Sequence, residues 1–219
     1  MLRTVRLIAA VVCFVLITLL FLDFTGTLHP WLGWLAKVQL LPAILAMNVG
    51  VVLFLVLLTL LAGRIYCSVI CPLGVFQDVV SWIAGKRKKR RFSYSPAMNR
   101  LRYGVLVLFI VALIAGVGSL VALIDPYSAF GRIASNLLNP AYLWINNLLA
   151  DAAERMESYA FYHTNIWIRS LSVLITAAVT LVVVSVLAWR NGRTYCNTVC
   201  PVGTFLGFLS RYSYLKPII

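Results

Sequence analysis

The residues best suited to chemistry are four cysteines in two copies of one motif. Residues 63–76 read GRIYCSVICPLGVF, and residues 192–205 read GRTYCNTVCPVGTF. At an offset of 129 residues the two stretches are identical at eight of fourteen positions. A chance match of this length is improbable, so both copies are expected to serve the same chemistry. The cysteines are Cys67, Cys71, Cys196 and Cys200.

Each motif is predicted to be a turn between two helices. Proline follows Cys71 and Cys200, which disfavours helical backbone at each cysteine and suits the first position of a new helix. Such a turn exposes backbone N–H groups beside a helix N-terminus, and both stabilise an anionic thiolate or sulfide.

Four thiolates from two such turns suit several kinds of site. Four cysteines ligate a 4Fe-4S or 2Fe-2S cluster, and cysteine followed by proline ends the bacterial ferredoxin run. Four cysteines also bind structural zinc, and paired cysteines exchange between thiol and disulfide. We favour a cluster, with 4Fe-4S preferred, because zinc knuckles are typical of soluble ribbons and cytoplasmic thiols stay reduced. The four cysteines either complete one cluster together or share clusters with cysteines elsewhere.

The paired CxxxCP turns at the ends of apolar segments resemble the NapH- and NosR-type membrane iron–sulfur proteins of nitrate and nitrous-oxide respiration. The similarity extends over essentially the whole chain and carries over to the four cysteines, Pro72 and Pro201. It implies a carrier that passes electrons between quinone or cytoplasmic donors and a periplasmic reductase system. The ferredoxin-like domain that usually follows in this family is expected on a partner, or in a longer chain of which this sequence is a fragment.

The composition places these turns on a membrane protein. The 219 residues are 62% hydrophobic and 11% charged, which is too apolar for a surface that faces water. A transmembrane helix needs roughly 17–25 apolar residues. The windows that reach or approach this length are Leu7–Leu22, Ala43–Ala62, Gly104–Ile124 and Leu171–Trp189.

The basic residues predict the orientation of these spans, because Lys and Arg near span ends remain on the cytoplasmic side. With both termini cytoplasmic, 15 of the 19 basic residues lie on that side, together with one of the six acids, Asp78. The chain is thus predicted to be a multi-pass protein of the bacterial inner membrane. We interpret the run Lys86–Arg91 as an anchor that touches anionic lipid, and no nucleic-acid partner is predicted.

The predicted fold is all-α, with four transmembrane helices arranged as a 2+2 parallel pseudo-repeat in one domain. Repeat one covers about residues 1–85, a basic cytoplasmic loop covers 86–102, and repeat two covers about 103–219. Two spans per unit keep both copies in one orientation, so the symmetry axis lies along the membrane normal. Both cysteine pairs then meet at the cytoplasmic face, braced by short interfacial helices after each motif.

The other cysteine, the histidines and two aspartates are expected to have mainly structural roles. Cys13 is expected to be a small buried side chain. His29 and His163 are expected to make interfacial hydrogen bonds rather than carry protons or ligate haem. Asp23 and Asp125 stand at matching outer ends of spans one and three, where they end helices or take protons.

The second unit contains 27 more residues than the first between its aspartate and its motif, 71 against 44. Asn139-Pro140 is typical of a helix start. We predict an amphipathic helix there on the outer surface, whose apolar side includes Met156 and whose polar side includes Asp151 and Glu157.

The sequence predicts an electron carrier or a subunit of a redox complex more than a complete enzyme. It contains no nucleotide-binding glycine pattern and no hydrolytic triad. The cluster is expected to exchange electrons between a ferredoxin-like partner on the cytoplasmic side and quinone or a periplasmic redox partner. The alternatives are a membrane thiol/disulfide oxidoreductase and a non-catalytic anchor for a soluble redox protein.

Overall fold

A computed structural model describes residues 2–23, 26–88, 98–155, 162–165 and 170–214. Regular structure in these residues is entirely helical, with no strand, so the all-α prediction is confirmed. The α-helices are α1 Leu2–Leu22, α2 His29–Lys37, α3 Leu40–Leu45, α4 Val49–Ala62, α5 Pro72–Lys88, α6 Asn99–Ile114, α7 Gly118–Ile124, α8 Pro126–Ile133, α9 Asn139–Glu154, α10 Leu171–Asn191, α11 Thr194–Thr198 and α12 Pro201–Leu209. Single π-helical turns cover Tyr66–Ile70 and Ala134–Leu138, and a 3₁₀ turn covers Ser210–Tyr212.

Among the described residues, two helices are long and apolar enough to cross a bilayer. They are Thr4–Leu22, within α1, and Leu171–Asn191, which is α10. Only 17% of each apolar window is buried inside the protein, so most of the apolar surface of these two helices is exposed. A soluble monomer rarely exposes so large an apolar area. The shorter apolar helix α4 covers Val49–Ala62.

The second predicted span is not one continuous helix. Met47 adopts a positive φ of 51°, and the N–H of Asn48 donates to the carbonyl of Ala43 at 2.9 Å. This is the bonding of a Schellman turn, which ends a helix while satisfying its last carbonyls. The chain reverses there, so α3 and α4 form a hairpin. The prediction of one span over Ala43–Ala62 is wrong, because apolar composition does not reveal such a turn.

The third predicted span is divided in the same way. Gly116 has a φ of 71°, and the N–H of Val117 donates to the carbonyl of Ala112 at 2.9 Å. Helix α7 therefore folds back onto α6, and Val121 packs against Phe109. The window Gly104–Ile124 is thus a helical hairpin. Its far end does not lie one full span away from its beginning.

The helix after the first motif is a member of the bundle. Helix α5 has 17 residues and packs against α1, α8 and α10, with Leu73, Gln77 and Ala84 fully buried. The expectation of a short interfacial helix is wrong for this copy, because the buried face is long enough to pack along α10. Helix α12, after the second motif, is shorter and packs against α4 and α6.

A helix covers the predicted segment as α9. Asn139 has helical backbone, with φ −63° and ψ −48°, and follows the π turn directly, so the prediction that it caps a new helix is wrong. Asp151 and Glu154 are exposed on α9. Met156 and Glu157, which the sequence assigned to the same helix, lie outside the described residues. The same holds for residues 89–91 of the basic run.

The main hydrophobic core surrounds the cysteine motifs. Cys67, Cys71 and Cys200 belong to it, together with buried side chains from helices throughout the chain. Phe14 of α1 packs on Phe130 of α8, with ring centroids 5.4 Å apart. The motifs therefore lie in the interior of the fold.

Helix α8 presses closely on α1 at Gly131. A Cβ atom there would lie 2.9 Å from the ring of Phe21, which is closer than carbon atoms tolerate. We expect Gly131→Ala to lower the unfolding free energy by about 1–3 kcal/mol through overpacking. Thermal unfolding of the detergent-solubilised protein measures this change. Gly118→Ala, where a Cβ meets nothing within 4 Å, is the matched control, and Phe21→Leu should restore the Gly131→Ala variant.

Candidate metal centre

Each cysteine motif begins where an apolar helix ends at a glycine. Helix α4 ends at Gly63 with φ 70°, and α10 ends at Gly192 with φ 74°. Glycine adopts positive φ without strain, and each glycine N–H caps a carbonyl of the preceding helix. The first residue of the motif therefore turns the chain sharply, so that the following cysteines enter the core.

The second cysteine of each motif has the backbone that its proline predicts. Cys71 has φ −77° and ψ 114°, and Cys200 has φ −69° and ψ 117°. Pro72 and Pro201 are the first residues of α5 and α12. The predicted turn between two helices is confirmed in both copies.

The helix that follows each motif lies directly against the turn. A Cβ atom at Gly74 would lie 2.2 Å from the carbonyl oxygen of Cys67, and one at Gly203 would lie 2.4 Å from that of Cys196. Only glycine fits at these two positions. The close approach aims the first N–H groups of each helix at a sulfur: the N–H of Gly203 donates to Sγ of Cys200 at 3.3 Å. Such bonds stabilise a thiolate.

The two motifs meet in one buried space. Gln77 lies on α5, the helix that follows the first motif, and its amide Nε2 donates to Sγ of Cys196 in the second motif at 3.2 Å. Cys67 interacts electrostatically with Cys196, and Cys71 interacts with Cys200. The structure thus brings together all four cysteines that the sequence singled out. Their role as ligands remains a prediction.

The four thiols lie beyond the ends of α4 and α10 and are only 3–7% exposed. Burial raises the pKa of every one of them, to about 12 for Cys67. The neighbouring guanidinium groups of Arg64 and Arg193 act in the opposite direction on the pKa of Cys67 and of Cys196. Thiolates in this space therefore need a positive partner, and iron bound there would provide one.

The two arginines cross from one motif to the other. Arg193 forms a bidentate ion pair with Asp78 of α5. Arg64 donates to Asn197 at 3.1 Å and to Ser210 at 3.4 Å. Each arginine thereby binds the opposite unit of the repeat. The pair fixes the two halves together and places two positive charges beside the sulfurs.

The tyrosine of each motif forms hydrogen bonds at a junction between two helices of its own repeat unit. The hydroxyl of Tyr66 donates to Oε1 of Gln39 at 2.8 Å and accepts from the N–H of Leu40 at 3.2 Å, where α2 gives way to α3. The hydroxyl of Tyr195 donates to the carbonyl of Ile124 at 3.2 Å, where α7 gives way to α8. A backbone hydrogen-bonding group at each of these two junctions therefore has a tyrosine hydroxyl as its partner.

Asp125 lies in a different place from the one that the sequence predicted. It is 1% exposed and follows Ile124, which the second motif contacts through Tyr195. The sequence placed it at the outer end of an unbroken span, and that placement is wrong because the chain reverses at Gly116. Asp125 caps α8 by accepting from the N–H of Ser128 at 2.8 Å.

The remaining polar residues lie apart from the cysteines. The carboxylate of Asp23 accepts backbone N–H groups from Gly26, Leu28 and His29, which fits its expected role at a helix end. His163 lies 3.2 Å from Asp151 and 3.8 Å from Glu154 in an exposed ion pair. Cys13 is a half-buried free thiol.

Within the described residues, Asp151, Glu154 and His163 form a group whose ligand atoms lie within 4.8 Å of one another, and all three are exposed. The four cysteines supply a thiolate donor set that both iron–sulfur clusters and structural zinc use.

Known proteins support the same chemistry. Two segments, residues 44–91 and 171–217, match the family described as the 4Fe-4S binding domain, and each contains one cysteine motif. The resemblance to NapH-type iron–sulfur proteins is confirmed. These matches support a 4Fe-4S cluster as the cofactor of this chain.

The individual relatives are distant. The methylamine utilization ferredoxin-type protein MauN of Paracoccus denitrificans is 24% identical over 77% of this chain and 46% of its own length. The ferredoxin-type protein NapH of Escherichia coli is 34% identical over 42% of this chain and 31% of its own. The chain thus spans about half or less of the length of these relatives. No solved structure matches it.

Sequence reasoning missed several residues of the site. Gln39 and Gln77 were not singled out, and no local pattern marks them. Tyr66 and Arg64 were visible as repeated motif letters, as were their counterparts at positions 195 and 193. Their partners lie in distant segments, so the sequence did not reveal what these side chains bind.

The close approach of helix to turn generates a prediction for cofactor retention. We expect Gly203→Ala to lose most of its iron, because the added Cβ displaces the carbonyl of Cys196 and with it the adjacent sulfur. Iron and sulfide analysis of anaerobically purified protein measures the loss. Gly104→Ala, where a Cβ meets nothing within 4 Å, should keep its full content. Equal iron in both variants would show that the turn tolerates displacement.

Proposed function

We propose that Cys67, Cys71, Cys196 and Cys200 bind one 4Fe-4S cluster between the two motifs, and that the chain transfers single electrons through it. The observation that carries this proposal is the meeting of two equivalent cysteine pairs in one dry space, with Gln77 of the first unit on a sulfur of the second. When bound, the cluster supplies a one-electron redox centre.

The chain's own residues suit an anionic group. The four thiols supply the number of ligands that such a cluster requires. The N-terminus of α12 directs an N–H group at Cys200, and Gly74 makes the corresponding backbone bond to Cys71. Arg64 and Arg193 offset the negative charge from the side of Cys67 and Cys196. The surrounding apolar core excludes water.

A membrane thiol/disulfide oxidoreductase is less well supported. Thiol–disulfide exchange requires a thiolate that can reach and attack the sulfur of a disulfide. The four motif thiols are almost fully buried, and burial raises their pKa. Both properties slow attack on an external disulfide.

We place the chain in the bacterial inner membrane as a multi-pass protein with both termini cytoplasmic. The apolar surfaces of α1 and α10 support insertion. The arginines near the cysteine site support a cytoplasmic position for it, since basic residues accumulate on that side. Arg64 and Arg102 both lie against Gly207 of α12, and Arg193 follows directly after α10.

On the cytoplasmic side we propose a ferredoxin-like partner, either a separate subunit or a domain of a longer chain. The names of the relatives include ferredoxin-type proteins. The net charge of +13 favours an acidic partner by electrostatic steering. Arg64, exposed beside the site, is available for such docking. A non-catalytic anchoring role would use the same surface without electron transfer.

On the other side of the site we propose quinone, or a periplasmic reductase system that receives electrons through it. A cavity of about 340 Å³ lies between the two helical hairpins, lined by apolar side chains such as Leu41, Leu113 and Val121. Asp125 and Ser128 form its polar end. An apolar pocket with few polar groups is typical of small-molecule sites. The Asp125 carboxylate is placed to accept a proton from a quinol.

Substitution of the ligands tests the cluster proposal. We expect Cys71→Ser and Cys200→Ser to abolish the absorbance near about 400 nm and to reduce iron from about four atoms per chain to nearly none. Anaerobic purification with iron and sulfide analysis measures this. Cys13→Ser, which changes a cysteine outside the site, should leave both unchanged. A colourless, folded wild-type protein without iron would contradict the proposal.

Substitution of the buried acid tests the quinone proposal. We expect Asp125→Asn to keep its iron, since asparagine caps a helix as well as aspartate does. Its reduction by a short-chain quinol should slow by about a hundredfold, because a proton acceptor is lost. Stopped-flow bleaching of the cluster measures the rate, and Asp23→Asn is the matched control. An unchanged rate would remove Asp125 from the route.

A further inference from the structure

Gln77 makes a polar contact with the cysteine site that its environment does not require for folding. Its side chain is fully buried. The amide Nε2 donates to Sγ of Cys196 at 3.2 Å and to the carbonyl of Leu73 at 3.3 Å. The Oε1 atom is buried without a hydrogen-bond partner. Burying an unsatisfied amide oxygen costs about 1–3 kcal/mol, so an apolar residue would serve stability better.

The second half of the repeat contains that apolar residue. At the offset of 129, the counterpart of Gln77 is Leu206, which is also fully buried. The register holds in space as well as in sequence. Ser81 donates to the carbonyl of Asp78 at 3.0 Å, and its counterpart Ser210 donates to that of Gly207 at 2.9 Å.

The two halves therefore present different surroundings to equivalent sulfurs. Cys196 receives a side-chain N–H group from Gln77, whereas the side chain of Leu206 has no N–H group to give to Cys67. Both sulfurs share the guanidinium groups of Arg64 and Arg193. The side chain at position 77 is thus a polar difference between two otherwise related environments.

An N–H group directed at a thiolate sulfur favours negative charge on that sulfur. When one electron is added at the site, negative charge on the thiolates increases, and the amide of Gln77 becomes more strongly bound to Cys196. Hydrogen bonds to the sulfurs are among the factors that set the reduction potential of iron–sulfur centres. The effect is larger in a buried site, where the local dielectric constant is low.

We propose that Gln77 raises the reduction potential of the site through its N–H···S bond to Cys196 and makes the reduced form asymmetric toward that sulfur. The inference rests on the proposed ligation by the four cysteines. Gln77 acts through Cys196 and is a positioning residue rather than a ligand.

A matched pair of substitutions tests the inference. Methionine is close in size to both glutamine and leucine but has no N–H group. We expect Gln77→Met to keep its iron and to have a lower reduction potential than the wild type. Leu206→Met, the same residue at the equivalent position, removes no hydrogen bond and should leave the potential unchanged. Dithionite titration of the full-length purified protein, followed by EPR, measures both potentials.

A spectroscopic readout separates this role from simple packing. In wild-type protein labelled with ¹⁵N at the glutamine side-chain amide, pulsed EPR of the reduced state should detect one coupled nitrogen. The coupling should vanish in Gln77→Met and persist in Gln39→Met, which changes the other buried glutamine. Should Gln77→Met fail to retain iron, the wild-type coupling alone decides the question. Absence of any coupled glutamine nitrogen would overturn the inference.

The outcomes also distinguish this inference from the proposal beneath it. Wild-type protein without iron overturns the ligation by cysteine and the role of Gln77 together. Wild-type protein with iron, whose potential is the same in Gln77→Met, overturns only the role of Gln77. Equal shifts in Gln77→Met and Leu206→Met would also overturn it, because they would reflect packing alone.

Discussion

Four sulfurs held in a space without water are the constraint on which the rest of this structure depends. Thiolates in such a space are unfavourable unless positive or hydrogen-bonding groups surround them. The chain supplies such groups from several directions. Helix α12 contributes its N-terminal N–H group to Cys200, Gln77 contributes a side-chain amide to Cys196, and two arginines contribute charge. A 4Fe-4S cluster held by these sulfurs would complete the balance.

The doubled motif provides the helix N–H group and the arginine twice, and the arginines bind across the two halves. Arg64 binds residues of the second unit and Arg193 binds Asp78 of the first. The exchange makes each motif dependent on the other. The differences between the halves are equally informative. At the offset of 129, Gln77 corresponds to Leu206 and Asp78 corresponds to Gly207. A twofold scaffold thus supports a site with two unequal sides.

Broken helices form the inner boundary of the site. The breaks at Gln39 and at Asp125 leave backbone groups that an apolar environment cannot satisfy. Tyr66 and Tyr195 bind at these breaks. The same breaks place a buried carboxylate and an apolar cavity next to the motifs. Two hairpins that look like plain spans in the sequence therefore lie beside the cysteine motifs, and the motif tyrosines bind at their ends.

The sequence by itself determined the helical class, the doubled motif and the turn at each cysteine–proline pair. These depend on local chemistry: proline limits the backbone of the residue before it, and repeated letters are visible without a fold. It also predicted a 4Fe-4S cofactor, which the family match supports.

Only the tertiary structure decided which residues surround the cysteines. The reversals at Met47 and Gly116 arise in apolar segments where hydropathy shows no change, so two predicted spans became hairpins and Asp125 moved beside the second motif. The contacts of Gln77 and of the two arginines join residues more than a hundred positions apart. Such contacts follow from packing of whole helices, and no local pattern encodes them.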